Sequence, residues 1–370
     1  MNEVSEKVDR LARLVRAEGL AGVLITLQPH FAWLSAGASN RVNGSTEAGA
    51  GSLFVTADGA RYVVANTIEM PRLQDEALQG LDFEPREYPW TADHQDPPAV
   101  VAVTRTIVGG APIGADAPLP GVVQLGPAIT HAQTPLTDPE IERYRQLGRD
   151  LGIALETVCR SVEIGLTEKA VAARVNHAAA RANARAIVTL VGADERIARY
   201  RHPVPTDTAW QRTLLIGVCA ERHGLVVALS RLVAAERPSD DLVNRTRATA
   251  TVFDKLLAAT RPGVTGADLF RAAAAAYELM GYPGEEGRHH QGGAIGYRSR
   301  DWIAHPASTH IVRPRQAFAW NPSITGSKVE NTALVMGDDD IEIITATPDW
   351  PAIEIAGVDG PWRTPGILVL

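Results

Sequence analysis

The sequence has little cysteine and no long apolar run. Its 370 residues include two cysteines, Cys159 and Cys219, with no Cys-x-x-Cys spacing. They form no disulfide framework, which indicates a reducing compartment, and we expect a cytoplasmic protein. No segment approaches the roughly 20 consecutive apolar residues that cross a bilayer, so we expect no membrane partner.

An excess of positive charge is also missing. The formal net charge is -7 and the arginines are scattered, which argues against nucleic acid as the main partner. The N-terminal segment lacks the pattern of a signal peptide. It places Val4, Val8, Leu11 and Val15 at alternating steps of four and three, which predicts an amphipathic helix that ends at Gly19.

The first third of the chain reads as an α/β domain, which we assign to residues 1–134. The apolar run "GVLITL" (22–27) predicts a buried strand. Two further strand-like segments flank Asp58 and Gly59, a pair that favours positive φ and therefore a hairpin turn. Residues 89–137 are richer in proline and glycine, and the domain boundary falls at their end.

Residues 135–370 contain a weak internal repeat. Two Gly-x-Thr entries, at Gly165 and Gly263, each precede an alanine-rich helix that is followed by strand-like segments. Thr265 and Asp268 have the spacing of a capping box. Two copies of a helix with antiparallel strands predict a pseudo-symmetric α+β domain, and related halves commonly enclose a cleft.

Three segments after this repeat carry a family resemblance. They are "HHQGGAIGY" (289–297), "WNPSI" (320–324) and "KVENTALV" (328–335). In this order they resemble the creatinase/aminopeptidase P family of peptidase clan M24, and the resemblance covers nearly the whole chain. It implies an α+β fold: a pita-bread C-terminal domain behind a creatinase-type α/β N-terminal domain. It also implies a homodimer.

The resemblance assigns five metal-ligand positions, and four of them carry no family ligand. Family metallopeptidases bind two metal ions with two Asp, one His and two Glu. The aspartate positions hold Gly217 and Ala228, the histidine position Gly293, and the glutamate positions Asn321 and Glu330. One carboxylate cannot hold two divalent cations. We therefore predict no dimetal site and no cofactor.

Two histidines match positions that the family keeps beside its substrate. They are His289, four residues before Gly293, and His202 in "RYRHPVPT". Imidazole transfers protons near neutral pH, so we predict that both are catalytic, with Glu330 as substrate anchor or general acid/base. Alternatively, the histidines hydrogen-bond the turn backbone, and Lys328 neutralises Glu330 in an inert salt bridge.

The other polar residues of these segments are candidates for substrate binding. Arginine binds carboxylates through two parallel hydrogen bonds, and side-chain amides hydrogen-bond substrate amides. A structural role is the alternative, such as an ion pair between Arg300 and Asp301. The predicted substrate-binding residues are His290, Gln291, Asn321, Tyr297, Arg298 and Arg300.

The predicted function is metal-independent hydrolysis of a C–N bond, amide or amidine, in a small amino-acid-like substrate. The resemblance supports it, because creatinase hydrolyses such a bond on this fold without metal. Three alternatives stay open: a lyase or tailoring enzyme of small-molecule biosynthesis, a non-catalytic binding protein, and an Xaa-Pro metallopeptidase. The last requires that the ligand positions are misassigned, with Glu221 as the nearest substitute carboxylate.

Overall fold

The chain divides into two compact units, Met1–Pro139 and Glu140–Leu370. In the part of the chain that the structure covers, no helix is both long and apolar enough to cross a membrane. The structure is a computed structural model, and it describes residues 2–93, 97–338, 340–347, 349–355 and 362–370.

The first unit is a six-stranded sheet with helices. Its helices are α1 (Glu3–Ala17), α2 (Gln28–Leu34), α3 (Met70–Arg72), α4 (Ala99–Ile107) and α5 (Gly126–Ala132). Its strands are β1 (Gly22–Leu27), β2 (Ala48–Thr56), β3 (Arg61–Asn66), β4 (Glu84–Tyr88), β5 (Ile113–Ala115) and β6 (Val123–Gln124). The sheet order is β4-β3-β2-β1-β5-β6, with β1 antiparallel to β2 and parallel to β5.

Two local predictions for this unit are confirmed. Helix α1 buries Val4, Val8, Leu11 and Val15 on one face, as the apolar spacing requires. Strands β2 and β3 form the expected antiparallel hairpin. Gly59 has a φ of +90°, a value that suits glycine because it has no Cβ.

The second unit contains two larger sheets. Its helices, with the one that leads into it, are α6 (Asp138–Ser161), α7 (Glu168–Arg181), α8 (Glu195–Arg199), α9 (Asp240–Ala259) and α10 (Gly266–Leu279). Its strands are β7 (Arg185–Ala193), β8 (Thr213–Arg222), β9 (Leu225–Ala234), β10 (Gly292–Ile295), β11 (Trp302–Ile303), β12 (Gln316–Trp320), β13 (Ser323–Ile324), β14 (Ser327–Lys328), β15 (Asn331–Val335), β16 (Ile341–Ile343), β17 (Ala352–Ile353), β18 (Thr364–Pro365) and β19 (Ile367–Val369).

The predicted repeat is visible in the second unit. Thr167 caps α7 and Thr265 caps α10, the latter through the expected capping box with Asp268. Helix α7 leads into the sheet β19-β9-β8-β7, and α10 leads into the sheet β11-β10-β12-β15-β16. Helices α9 and α10 pack on the second sheet through a buried apolar cluster that includes Phe253 and Phe318.

The two sheets of this unit meet beside Glu330. A β-bridge joins Ser230 of β9 to Glu330, and the Ser230 amide donates to the Glu330 carbonyl at 3.2 Å. Thr332 of β15 exchanges hydrogen bonds with the backbone of Ala228 in β9. These contacts bring Glu330 next to the centre of the β8–β9 hairpin, where the candidate site lies.

Candidate active site

A pocket of about 300 Å³ lies where these two sheets meet. The strands β7 and β8 supply its apolar wall, and the segments after α8 and around β10 and β14 supply its polar wall. A pocket of this size suits a small molecule. The apolar wall consists of Val188, Leu190, Gly217, Val218 and Cys219, and the polar wall of His202, His290, Ser299, Arg300, Asn321, Lys328 and Glu330.

Three imidazoles gather at one side of the pocket. The Nε2 atoms of His289 and His202 are 3.0 Å apart, a hydrogen-bond distance. The rings of His289 and His290 stack with centroids 4.5 Å apart. His289 is buried and is not among the lining residues, whereas His202 is exposed. His289 therefore contacts the pocket through His202 and His290.

Burial and nearby cations keep these histidines neutral. Burial, followed by the charge of Lys328, lowers the pKa of His289 to about 2. Burial, followed by the charge of Arg300, lowers the pKa of His290 to about 4. The pKa of His202 is lowered by the same kinds of cause. All three rings are thus available as proton acceptors at neutral pH.

Glu330 sits in a buried network of charges. Its Oε2 lies 3.1 Å from Lys328 Nζ, and its Oε1 lies 3.4 Å from Arg300 Nη2. The Ser230 hydroxyl donates a short hydrogen bond to the same carboxylate. Burial raises the pKa of Glu330, but Lys328, Arg300 and Ser230 together bring it below its usual value. The lowered pKa favours an ionised Glu330, and therefore the predicted role of substrate anchor over that of general acid.

Two predicted substrate-binding residues make hydrogen bonds inside the protein, away from the pocket. Gln291 is fully buried, accepts from the Tyr277 hydroxyl at 2.8 Å and donates to backbone carbonyls of its own turn. The Tyr297 hydroxyl donates to Glu140 at 2.7 Å. Neither residue lines the pocket. We therefore revise both to structural roles, since their polar groups are used inside the protein.

The remaining candidates separate into two groups. Arg300 and Asn321 line the pocket together with His290, and the Arg300 partner is Glu330 rather than the expected Asp301. Arg300 Nε and Asn321 Oδ1 are buried and have no hydrogen-bond partner among the described residues, so a ligand group that reached them would satisfy both. Arg298 is not a lining residue; desolvation raises the pKa of the half-buried Asp301, and the charge of Arg298 lowers it.

The residues at the family's metal positions do not fit a dimetal centre. A Cβ added to Gly293 would lie 2.0 Å from the Trp302 carbonyl oxygen, so no histidine side chain can start there. Gly217 faces Ser230 across the β8–β9 hairpin, and its added Cβ would lie 2.9 Å from the Ser230 hydroxyl oxygen. Ala228 offers no donor, and the ammonium of Lys328 already pairs with Glu330.

The substitute carboxylate does not rescue the metal site. Glu221 pairs with Arg185 at 2.9 Å where β8 ends, and it is not among the pocket-lining residues. The described residues that line the pocket thus include one carboxylate, with two cations beside it.

The sequence analysis assigned no site role to Ser230 and gave Lys328 only a structural one. Ser230 follows two residues after Ala228 in β9, and alternate residues of a strand share a face. Lys328 precedes Glu330 by two residues, and we considered it only as a salt-bridge partner. The two-residue spacing from a ligand position was visible in both cases. The direction in which each strand face points was needed to place the side chains in the site.

The second unit matches a known family. The model of Metallopeptidase family M24 matches residues 142–343, which is more than half of the 370-residue chain. The chain therefore belongs to metallopeptidase family M24. A comparison of the sequence with curated proteins gave no match.

Solved structures are similar over almost the whole chain. Dipeptidase PepE from Mycobacterium ulcerans has a TM-score of 0.77 at 18% identity, covering 94% of this chain and 96% of that one. An Xaa-Pro dipeptidase from Bacillus anthracis has a TM-score of 0.78 at 16% identity, covering 99% and 100%. The N-terminal domain of FACT complex subunit SPT16 from Cicer arietinum has 0.68 at 12%, covering 93% and 96%.

These likenesses confirm the predicted fold, in which a creatinase-type N-terminal domain is followed in the sequence by a pita-bread domain. At such identities they establish the fold alone. Dipeptidases and a domain of the FACT complex share it, so the reaction has to be argued from the residues of the site.

Proposed function

We propose that this protein is a metal-independent member of its family that hydrolyses a C–N bond in a small substrate bearing a carboxylate. The observation that carries the proposal is one pocket that joins a hydrogen-bonded pair of neutral histidines to a buried Lys328–Glu330–Arg300 network. The histidine pair supplies a base, and the charged network binds and orients a substrate.

The histidine pair acts as one base. In the tautomer in which His202 donates from Nε2 to His289 Nε2, the lone pair on His202 Nδ1 accepts a proton from water. The imidazolium that forms then donates a charge-assisted hydrogen bond to His289, which is stronger than the neutral one. His202 is the catalytic residue in this arrangement, and His289 positions it.

Substrate binding strengthens this base. Burial, followed by the charges of Lys328 and Arg300, lowers the pKa of His202 and His290, and a weak base transfers protons slowly. A substrate carboxylate paired with the free donors of Arg300 offsets that positive charge. The pKa of His202 then rises toward neutral pH when the pocket is occupied. Asn321 Oδ1, which lacks a partner, accepts a hydrogen bond from the substrate N–H.

The test is a hydrolysis assay on chelator-treated protein. The panel contains creatine, N-acyl amino acids and Xaa-Pro dipeptides, and the readout is amine release. We expect turnover of a carboxylate-bearing compound in EDTA, a loss of about 100-fold or more in His202→Asn, and wild-type rates in His223→Asn, whose histidine lies exposed in the β8–β9 turn.

Two further readouts separate the alternatives. Reaction in ¹⁸O-labelled water places the label on the attacked carbon for hydrolysis, in the acid formed from an amide or in the urea formed from creatine, whereas a lyase incorporates none. Turnover that requires added Mn²⁺ or Co²⁺, with one or two ions retained per chain, would refute the metal-independent mechanism. Absence of turnover on the whole panel, with tight binding of one compound, would favour a binding protein.

A further inference from the structure

Lys328 is the least expected residue of the pocket. It lies on β14, a two-residue strand paired with Ser323 and Ile324 of β13. Its side chain is 6% exposed, yet it reaches the pocket wall. Lysine is almost never this buried unless it is paired, because transferring an ammonium out of water is costly. Its ion-pair partner among the described residues is Glu330.

The pocket nevertheless holds more positive than negative charge. Among its described lining residues, Lys328 and Arg300 are cationic, Glu330 is the one carboxylate, and the histidines are neutral. Both cations share that carboxylate, at 3.1 Å and 3.4 Å. An ammonium has three N–H donors, and the bond to Glu330 uses one. The Lys328 ammonium therefore has N–H donors left for an anionic oxygen of a ligand.

We propose that Lys328 is a catalytic electrophile: its ammonium binds the oxygen that becomes negative during the reaction, in place of a metal ion. This inference rests on the proposed function. It follows from position, because Lys328 Nζ pairs with the one carboxylate left at the positions of the family's ligands. A fixed positive charge on a side chain as buried as Lys328 stabilises such an oxyanion more than bulk water does.

The step balances with water as the second reactant. His202 takes one proton from water while the water oxygen attacks the carbonyl carbon. The electron pair of the C=O bond moves onto the carbonyl oxygen, and the Lys328 ammonium donates to it. When that pair returns, the C–N bond breaks, and the proton on His202 passes to the leaving nitrogen. No oxidant, reductant or metal takes part.

Inorganic phosphate is the probe, because it is a tetrahedral oxyanion that needs no knowledge of the substrate. The readout is the NMR shift of the ¹³Cε1–H signals of His202, His289 and His290 as phosphate is added. We expect Lys328→Met to weaken phosphate binding about 10-fold or more, and Lys328→Arg to keep it within about 3-fold. Glu330→Gln removes the competing carboxylate and should tighten binding several-fold.

Lys328→Arg protects the test from loss of folding, since it keeps the positive charge, whereas a destabilised pocket would weaken binding in both lysine variants. Lys169→Met is the matched control, because Lys169 is 59% exposed and pairs with Asp207 on the surface. Equal phosphate affinity in Lys328→Met and wild type, or no histidine shift in wild type, would overturn the proposal. Neither outcome depends on finding a substrate, so it is separate from failure of the proposed function.

Once a substrate is known, kinetics give a second test. A lysine that acts on the transition state should lower kcat in Lys328→Met by about 100-fold or more while changing KM much less. A lysine that only holds Glu330 in place should raise KM with little change in kcat.

Discussion

Glu330→Gln should strongly destabilise the second unit. The substitution keeps the shape of the side chain but leaves Lys328 and Arg300 buried without their shared anion. At an effective dielectric constant of about 20, ion pairs of 3.1 Å and 3.4 Å are each worth about 5 kcal/mol before desolvation is subtracted. Removal of one partner from a buried network costs about 3–5 kcal/mol, and we expect a loss in that range.

The assay is urea unfolding at pH 7, with the transition of the second unit followed separately because a two-unit chain need not unfold in one step. Adding Lys328→Met to Glu330→Gln removes one of the stranded cations. The double variant should therefore recover about 2 kcal/mol relative to the sum of the single variants. A loss below about 1 kcal/mol in Glu330→Gln would refute the view that this network is buried and tightly coupled.

The pH dependence supplies a second check on the same residue. The pKa of Glu330 is lower in the folded protein than its usual 4.5. Its contribution to stability is therefore fully present above pH 4.5 and is lost as the pH falls through the folded pKa. The difference in unfolding free energy between wild type and Glu330→Gln should shrink over that acidic window. A constant difference from pH 7 to pH 3 would contradict the ionised state.

Three further predictions concern single positions. Burial raises the pKa of Asp254 to about 7. The stability that protonated Asp254 contributes should therefore be lost as the pH rises from 4 to 7. Urea unfolding should show Asp254→Asn gaining up to about 4 kcal/mol relative to wild type across that range. Gly293→Ala should lower the unfolding free energy by about 3 kcal/mol or more, because the new Cβ would lie 2.0 Å from the Trp302 carbonyl oxygen. Gly287→Ala is the control, because an added Cβ there would meet no described atom within 4 Å. Equal melting temperatures for the two variants would contradict this packing. His289→Phe should change the ¹³Cε1 shift and the pKa of His202 in an NMR titration, since their Nε2 atoms are 3.0 Å apart, and an unchanged titration would exclude the paired base.

Much of the fold could be read from local patterns. The spacing of Val4, Val8, Leu11 and Val15 fixed the buried face of α1, because a helix repeats every 3.6 residues regardless of its surroundings. The capping box of Thr265 depended on backbone donors one turn away. Such features rest on contacts between residues close in sequence, so the sequence determines them directly.

The mismatch at the family's metal-ligand positions was visible in the sequence. Gly217, Ala228, Gly293 and Asn321 lack the charged or imidazole donors of the family, and no fold can add them. The structure shows why a different assignment of the ligand positions does not supply the missing donors. Glu221 pairs with Arg185 away from the pocket, and the backbone at Gly293 leaves no room for a side chain.

The roles of the polar residues were decided by the tertiary structure. Adjacent His289, His290 and Gln291 look equivalent in sequence, yet His290 faces the pocket, His289 lies behind it, and Gln291 holds the turn from inside the core. Which of these directions a side chain takes depends on elements far along the chain. Likewise, the ammonium of Lys328 acquires its importance only where β9 and the Glu330 segment meet, because the strength of a charge depends on its burial and on the partners that surround it.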